Sequence, residues 1–269
     1  MHKYQHKIFF FFSLLICILI FISSYESLIH PDFYNKESLN WQAQSIGQDA
    51  MNLFLICPFL LITAFLILSR KEYAHPLWAG TLVYLIYTYQ IYCFNIHFNS
   101  FFVVYCLILG LCFYLFVFYT YWQIKSNLIF DNGVIYKIVA FYLLTIAILF
   151  YLLWLWDVIP AILHHTVPES VMKGGLVSNP VQVLDLSLFL PGVFITGLLL
   201  LKKKPLGQLF SPVLLTFFVL MDLTIASLNI VMVNKGVDSG YTVAKVMSSL
   251  AVLSVVLLTK QLNHIYRSV

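Results

Sequence analysis

The sequence predicts an all-α integral membrane protein of about eight transmembrane helices, arranged as two parallel four-helix repeats with both termini in the cytoplasm. Three observations lead to this fold class. The chain is 61% hydrophobic and 10% charged, whereas soluble domains carry about 25% charged residues. Apolar stretches long enough to cross a hydrocarbon core of about 30 Å as a helix recur eight times. A segment of the first half also recurs in the second half.

The apolar stretches define the helices in chain order. They are expected near residues 8–24, 50–68, 76–94, 101–122, 138–156, 181–201, 211–233 and 242–258. The first stretch also fits a signal peptide, which would leave seven spans and an external N-terminus. Its length and the lack of an A-x-A-like site favour an uncleaved anchor.

The basic residues predict the orientation of the chain. With the N-terminus inside, eleven of the fifteen Lys and Arg residues fall on the cytoplasmic side, as the positive-inside rule requires. The longest connecting segments, 25–49 and 157–179, then lie on the outer face. The net charge of +4 arises from the cytoplasmic loops and does not indicate a nucleic-acid partner.

The internal repeat predicts the domain organisation. Residues 49–71 align without a gap to residues 182–204 at an offset of 133, with eight of 23 positions identical. The identities include a proline inside each helix, Pro58 and Pro191, which favours a kink in both. Because the matched helices run in the same direction, we expect parallel repeats over residues 1–132 and 133–269, related by an axis near the membrane normal.

Helix caps are expected before both matched segments. Asn179 precedes Pro180 and is predicted to cap the sixth span, with Gln182 placed for a capping box. Ser45 and Gln48 have the same spacing before the second span and predict a similar start there.

A group of polar residues marks the outer ends of several predicted spans. We expect them to bound a vestibule for a small solute or ion, and we expect the matched residues of the two halves to approach one another. Solvated loop ends and helix caps are the alternative. Their spacing matches no metal or catalytic motif, so no metal, cofactor or catalytic residue is assigned. The candidates are Asp49, Asn52, His97, Asp157, Gln182 and Asp185.

One further candidate, Asp222, lies in the middle of the seventh span. An ionised carboxylate costs about 2.5 to 3.5 kcal/mol at that depth, so Asp222 is predicted to be protonated, paired or in contact with water. Two interpretations stay open. Asp222 either forms a protonatable or cation-binding site, or it is a neutral hydrogen-bonding group between helices.

Three stretches resemble a widespread family of uncharacterised bacterial multispanning membrane proteins. They are QDAMNLFLICPFLLI, YTYQIYCFNIHFNSFFVVY and SNPVQVLDLSLFLPGVFITGLLLLKKKPLGQLFSPVLLTFFVLM, and the resemblance extends over residues 47–232. It implies a location in the bacterial cytoplasmic membrane and carries no activity. The mid-span acid, the paired prolines and the duplication favour a transporter or channel-like protein. The alternatives are a membrane-embedded enzyme acting on a lipid or quinone, and a non-catalytic sensor or assembly protein.

Overall fold

The computed structural model describes residues 2–30, 32–125, 132–237 and 240–267, without the side chains of residues 2–4 and 267. Within these ranges the chain is helical and contains no strand. Two of the segments are single five-residue π-helical turns, named the first and second π turn. The elements are α1 His2–Ile29, α2 Leu39–Met51, the first π turn Asn52–Ile56, α3 Cys57–Leu68, α4 Ala74–Asn95, α5 Phe102–Lys125, α6 Val134–Leu163, α7 Glu169–Gly174, α8 Pro180–Leu184, the second π turn Asp185–Phe189, α9 Leu190–Leu201, α10 Pro205–Asn234 and α11 Thr242–Arg267.

The helices make this chain a multi-pass membrane protein. Among the described residues, seven helical segments are long and apolar enough to span a membrane, and each overlaps one of the predicted apolar stretches. The predicted third stretch corresponds to α4, which is less apolar. It has 22 residues, of which 15 are buried, so α4 faces other helices rather than lipid. Large hydrophobic side chains are exposed on the surrounding helices, for example Phe65, Leu107, Leu149 and Leu253.

The structure corrects the predicted start of the second span. Helix α2 begins at Leu39, where the Ser38 hydroxyl caps it by accepting the backbone N–H of Trp41 at 3.2 Å. Ser45 lies inside the helix and donates to the Trp41 carbonyl at 2.9 Å. The prediction that Ser45 and Gln48 cap this span is therefore wrong. The first turns of α2 are too polar to register as an apolar stretch, although they are helical.

The predicted cap of the sixth span is confirmed. The Asn179 side-chain oxygen accepts the backbone N–H groups of Val181 and Gln182 at 3.0 and 3.4 Å. The Gln182 amide donates instead to Asp157 at 2.7 Å. Gln182 therefore connects α8 to α6.

The two in-helix prolines follow the two π turns. Pro58 and Pro191 each occupy the second position of the helix after a π turn, in α3 and α9. A proline cannot donate a backbone hydrogen bond, and its ring crowds the preceding turn. The wider π turn accommodates this locally. The π turns begin at Asn52 and Asp185, which are separated by the 133 residues of the sequence offset.

The turns that follow α3 and α9 also match. Arg70 and Lys203 both adopt left-handed backbone conformations, with φ of 60° and 54°. The next residue in each turn donates its N–H to the carbonyl five positions earlier, at 2.9 and 2.8 Å. The same backbone geometry therefore recurs 133 residues apart.

Helices α4 and α10 form the centre of the bundle. Around them, α1 packs on α3 and α4 on α5, while α6 packs on α9 and α10 on α11. At the crossing of α4 and α10, a methyl group on Gly80 would lie 2.5 Å from the Thr216 Cβ and 2.6 Å from the Val213 carbonyl oxygen. The two central helices therefore meet in direct backbone contact.

The bundle has two ends, which are named here by one residue each. The Ser38 end carries the segments between α1 and α2, α4 and α5, α6 and α8, and α10 and α11. The Lys203 end carries the opposite connections, including the two matched turns. Residues 126–131, which belong to the connection between the two predicted repeats, lie outside the described residues.

Candidate functional site

A cavity of about 540 Å³ lies in the half of the bundle nearer the Ser38 end. It is bounded by α2 and α4 from the first half of the chain and by α6, α9, α10 and α11 from the second. Its lining runs from Asn40 and Gly174 at the Ser38 end to Asp222 in the middle of α10. Small-molecule sites occupy about 300 to 1,000 Å³, so the cavity has the size of such a site.

Asp222 lines the deep part of this cavity. It lies twelve residues before the last residue of α10, which corresponds to about 18 Å along the helix axis. The residue is 6% exposed, and its Oδ2 atom has no hydrogen-bond partner within the described structure. A buried carboxylate oxygen is costly when nothing pairs with it. Asp222 therefore combines a place in the cavity lining with a buried carboxylate oxygen that has no hydrogen-bond partner in the described structure.

Asp185 is a second carboxylate in the cavity lining. It is the first residue of the second π turn. The Tyr87 hydroxyl donates to its Oδ1 atom at 3.1 Å, and the Trp154 indole donates to its Oδ2 atom at 2.8 Å. Both donors are neutral, so they position the carboxylate without cancelling a negative charge on it.

Aromatic rings form a continuous wall beside Asp185. The ring centroids of Tyr87 and Phe189 are 4.7 Å apart, and those of Phe189 and Phe217 are 5.3 Å apart. Phe218 continues the series at 5.8 Å from Phe217 and lies one helical turn before Asp222 on α10. All four rings line the cavity.

The charge of the lining is unbalanced. In the part of the chain that the structure describes, its charged residues are Asp185, Asp222 and Lys173. Lys173 belongs to the short helix α7 at the Ser38 end and forms an ion pair with Glu169 at 2.6 Å. In the deep part of the described lining, the charged residues are therefore both acids.

Asp49, another sequence candidate, belongs to a separate buried cluster. It is 1% exposed and accepts hydrogen bonds from four hydroxyls, those of Ser24 at 2.8 Å, Tyr34 at 2.6 Å, Tyr92 at 2.9 Å and Ser27. Burial and the neighbouring Asp49 carboxylate raise the pKa of the Tyr34 hydroxyl well above its ordinary value. Tyr34 is consequently a permanent donor, and Asp49 is fully satisfied inside the first half.

Asn52 is linked to the cavity through a chain of polar groups. The Gln48 amide donates to the Asn52 side-chain oxygen at 3.0 Å and to the Tyr84 hydroxyl at 2.6 Å. The Tyr84 and Thr224 hydroxyls share a hydrogen bond of 2.9 Å. Gln48 and Thr224 line the cavity, while Asn52 is fully buried. This chain connects α2, α4 and α10 at the centre of the bundle.

Asp157 and Gln182 join α6 to α8. Asp157 Oδ2 accepts from the Gln182 amide at 2.7 Å and from the Ser170 hydroxyl at 2.6 Å. At the sequence offset, Asp157 and Gln182 correspond to Ser24 and Asp49. The Ser24–Asp49 pair connects α1 to the end of α2, and the Asp157–Gln182 pair connects α6 to α8. The acid lies on α2 in the first pair and on α6 in the second. Asp49 and Gln182 therefore have matching structural roles in two separate clusters.

His97 lies outside the cavity lining, in the connection between α4 and α5. Its backbone N–H donates to Glu37 Oε1 at 2.8 Å, and its Nδ1 atom lies 3.1 Å from the same oxygen. Of the seven candidates from the sequence, Asp185 and Asp222 line the cavity. The sequence alone did not assign the Asp185 donors Tyr87 and Trp154 to a site, although Tyr87 belongs to a series of tyrosines in the third predicted span, at positions 84, 87, 89 and 92.

Comparison with family models, curated proteins and solved structures finds no match. The site is therefore interpreted from its own geometry.

The residue 133 positions before Asp222 is bulkier than Asp222 and packs differently. At the offset of 133, Asp222 corresponds to Tyr89 of α4. Tyr89 is fully buried and packs against Tyr92 and Tyr105, with ring centroids 5.3 and 6.1 Å away. A large ring thus fills this position in the first half. The smaller Asp222 borders open space in the second half.

Proposed function

We propose that this chain is a transporter or channel-like protein of the bacterial cytoplasmic membrane that binds a small solute in the cavity around Asp185 and Asp222. The observation that carries the proposal is the unpartnered Asp222 carboxylate in a cavity that extends from the Ser38 end to the middle of α10. Ionisable residues inside membrane bundles usually face a substrate or ion pathway. The resemblance seen in the sequence supports the bacterial location.

Two parallel repeats are part of this proposal. Its support is the set of features repeated at an offset of 133, namely the π turns, the in-helix prolines and the left-handed residues Arg70 and Lys203. The packing of α1 on α3 and of α6 on α9 follows the same correspondence. Binding sites between repeats are common in transporters built in this way.

The proposed topology has eight spans, including α4, with both termini in the cytoplasm. The burial of α4 supports counting it as a span, because a helix surrounded by other helices does not need an apolar surface. The basic residues of the Lys203 end support its placement on the cytoplasmic side. The cavity then opens towards the outer face.

The alternative functions have less support from the geometry. A membrane-embedded enzyme that used His97 in the cavity would bring its imidazole there, whereas the described cavity lining contains no histidine. A sensor or assembly protein needs only packed helices. The cavity of about 540 Å³ favours ligand binding over both.

Cysteine accessibility tests the cavity as a path for solute. In a variant whose five native cysteines are replaced by alanine, Met221→Cys is placed in the cavity lining and Leu223→Cys on an exposed, non-lining part of the same helix. In intact cells, a membrane-impermeant thiol reagent should modify Met221→Cys and leave the lipid-facing Leu223→Cys unmodified. Failure to modify Met221→Cys, or equal modification of both positions, contradicts the proposal.

A further inference from the structure

We propose that the cavity binds a lipophilic organic cation, with Asp222 as the counter-ion and Asp185 as a second acidic contact. This inference rests on the proposed function and defines the ligand class of the same site. It starts from three properties of the cavity, which are its unpaired acid, its aromatic wall and its largely apolar surface.

The charge of the cavity lining favours a positively charged ligand. Asp222 Oδ2 has no partner in the described structure, and the donors of Asp185 are neutral. The basic residue of the lining, Lys173, is at the Ser38 end and is paired with Glu169. A buried charge is stable only when it is paired, and a positive ligand provides the pair. An anionic ligand would be repelled by both acids.

The aromatic rings of the cavity wall favour an organic cation as the ligand. Cations are attracted to the faces of aromatic rings, and rings that surround a cavity are a known means of binding quaternary ammonium groups. Tyr87, Phe189, Phe217 and Phe218 form such a series between the two acids. Trp154 adds a fifth ring, whose indole donates to Asp185.

The apolar side chains in the rest of the cavity lining favour a lipophilic ligand. Apolar side chains dominate the lining, including Ile146, Leu228 and Leu250. Met221 and Met247 also line the cavity, and flexible thioether side chains adapt to ligands of different shapes. A bare metal ion would use few of these contacts, because it is bound by oxygen or nitrogen ligands. A bulky apolar cation satisfies both the acids and the apolar walls.

Equilibrium binding of tetraphenylphosphonium to the purified full-length protein in nanodiscs tests the inference. Tetraphenylborate serves as the control, since it has nearly the same shape and the opposite charge. We expect saturable binding of the cation and no saturable binding of the anion. Equal binding of the two ions, or no saturable binding of the cation, overturns the inference.

Matched variants locate the bound cation. Asp222→Asn should weaken binding by at least about 30-fold, which is the loss expected when one member of a buried charge pair is neutralised. The control Glu26→Gln removes a partly exposed acid on α1, outside the cavity lining, and should leave the affinity unchanged. Unchanged affinity in Asp222→Asn overturns the role of Asp222.

A second pair of variants tests whether the cation occupies the cavity, by adding a large side chain either inside or outside it. Met247→Trp adds bulk inside the cavity, and Val246→Trp adds it at the adjacent, exposed position of α11. We expect only Met247→Trp to reduce binding. Equal effects of the two variants would place the cation on the protein surface and overturn the inference.

The failure of this inference is distinguishable from failure of the proposed function. If Met221→Cys reacts with the thiol reagent while the cation does not bind, the solute cavity stands and the ligand class is wrong. If the cysteine is also unreactive, the proposed function fails with it.

Discussion

Replacing Asp222 by leucine should stabilise the protein when no ligand is bound. An ionised carboxylate in the middle of a membrane span costs about 2.5 to 3.5 kcal/mol, and no partner in the described structure offsets this cost at Oδ2. Leucine is favourable at the same depth, and the cavity leaves space for it. Because water in the cavity relieves part of the cost, we expect the free energy of unfolding to increase by about 1 to 3 kcal/mol.

The same substitution at Asp49 is the matched control, and its effect should have the opposite sign. Asp49 accepts hydrogen bonds from four hydroxyls in a fully packed cluster. Each hydrogen bond to a charged group contributes about 1.5 to 3 kcal/mol, and buried donors left unpaired add a further cost. Asp49→Leu should therefore lower the free energy of unfolding by about 3 kcal/mol or more.

Reversible unfolding in mixed micelles, followed by tryptophan fluorescence, measures both variants against the unmodified protein. A loss of about 1 to 2 kcal/mol in Asp222→Leu would indicate an interhelical hydrogen bond and would refute the assignment of Asp222 as an unsatisfied site residue. A loss of the same size in both variants would refute the distinction between the two acids.

Three other predictions concern the fold and its orientation. Gly80→Ala should destabilise the protein by about 1 to 3 kcal/mol through overpacking at the α4–α10 crossing, whereas Gly110→Ala, which has open space around it, should be neutral in the same unfolding assay; equal effects would argue against the crossing. In the cysteine-free variant, Lys173→Cys should react with an impermeant thiol reagent added outside intact cells, and labelling only after permeabilisation would reverse the proposed orientation. Lys203→Cys should show the opposite pattern. External labelling at both positions would exclude a membrane crossing by the helical segment between residues 173 and 203.

The positions of the spanning helices were predictable because they depend on the local density of apolar residues. All eight predicted stretches overlap continuous helical segments. The start of α2 was missed because its first turns are polar. Its start is marked by the Ser38 hydroxyl, which accepts the backbone N–H of Trp41. The π turns were anticipated only as kinks at Pro58 and Pro191, since their geometry depends on how the preceding backbone accommodates proline.

The partners of the candidate residues were less predictable. Asp49 and Asp185 both belong to the sequence segments that match at the offset of 133, yet hydroxyls of the first half enclose Asp49 while Asp185 borders a cavity. That difference depends on which side chains arrive from other helices, such as Trp154 on α6. Asp222 was identified from the sequence because a carboxylate within an apolar span stands out whatever the packing of the helices. Its contact with a cavity required the three-dimensional structure.

Photoaffinity labelling with a photoactivatable tetraphenylphosphonium analogue, read out by peptide mass spectrometry, shows directly where the cation binds. We expect labels on cavity-lining residues of α10 and α11 such as Met221 and Met247, suppressed by excess tetraphenylphosphonium and lost in Asp222→Asn. Labels confined to exposed residues such as Leu223 and Val246, with no effect of the competitor or of the Asp222 substitution, would contradict this expectation.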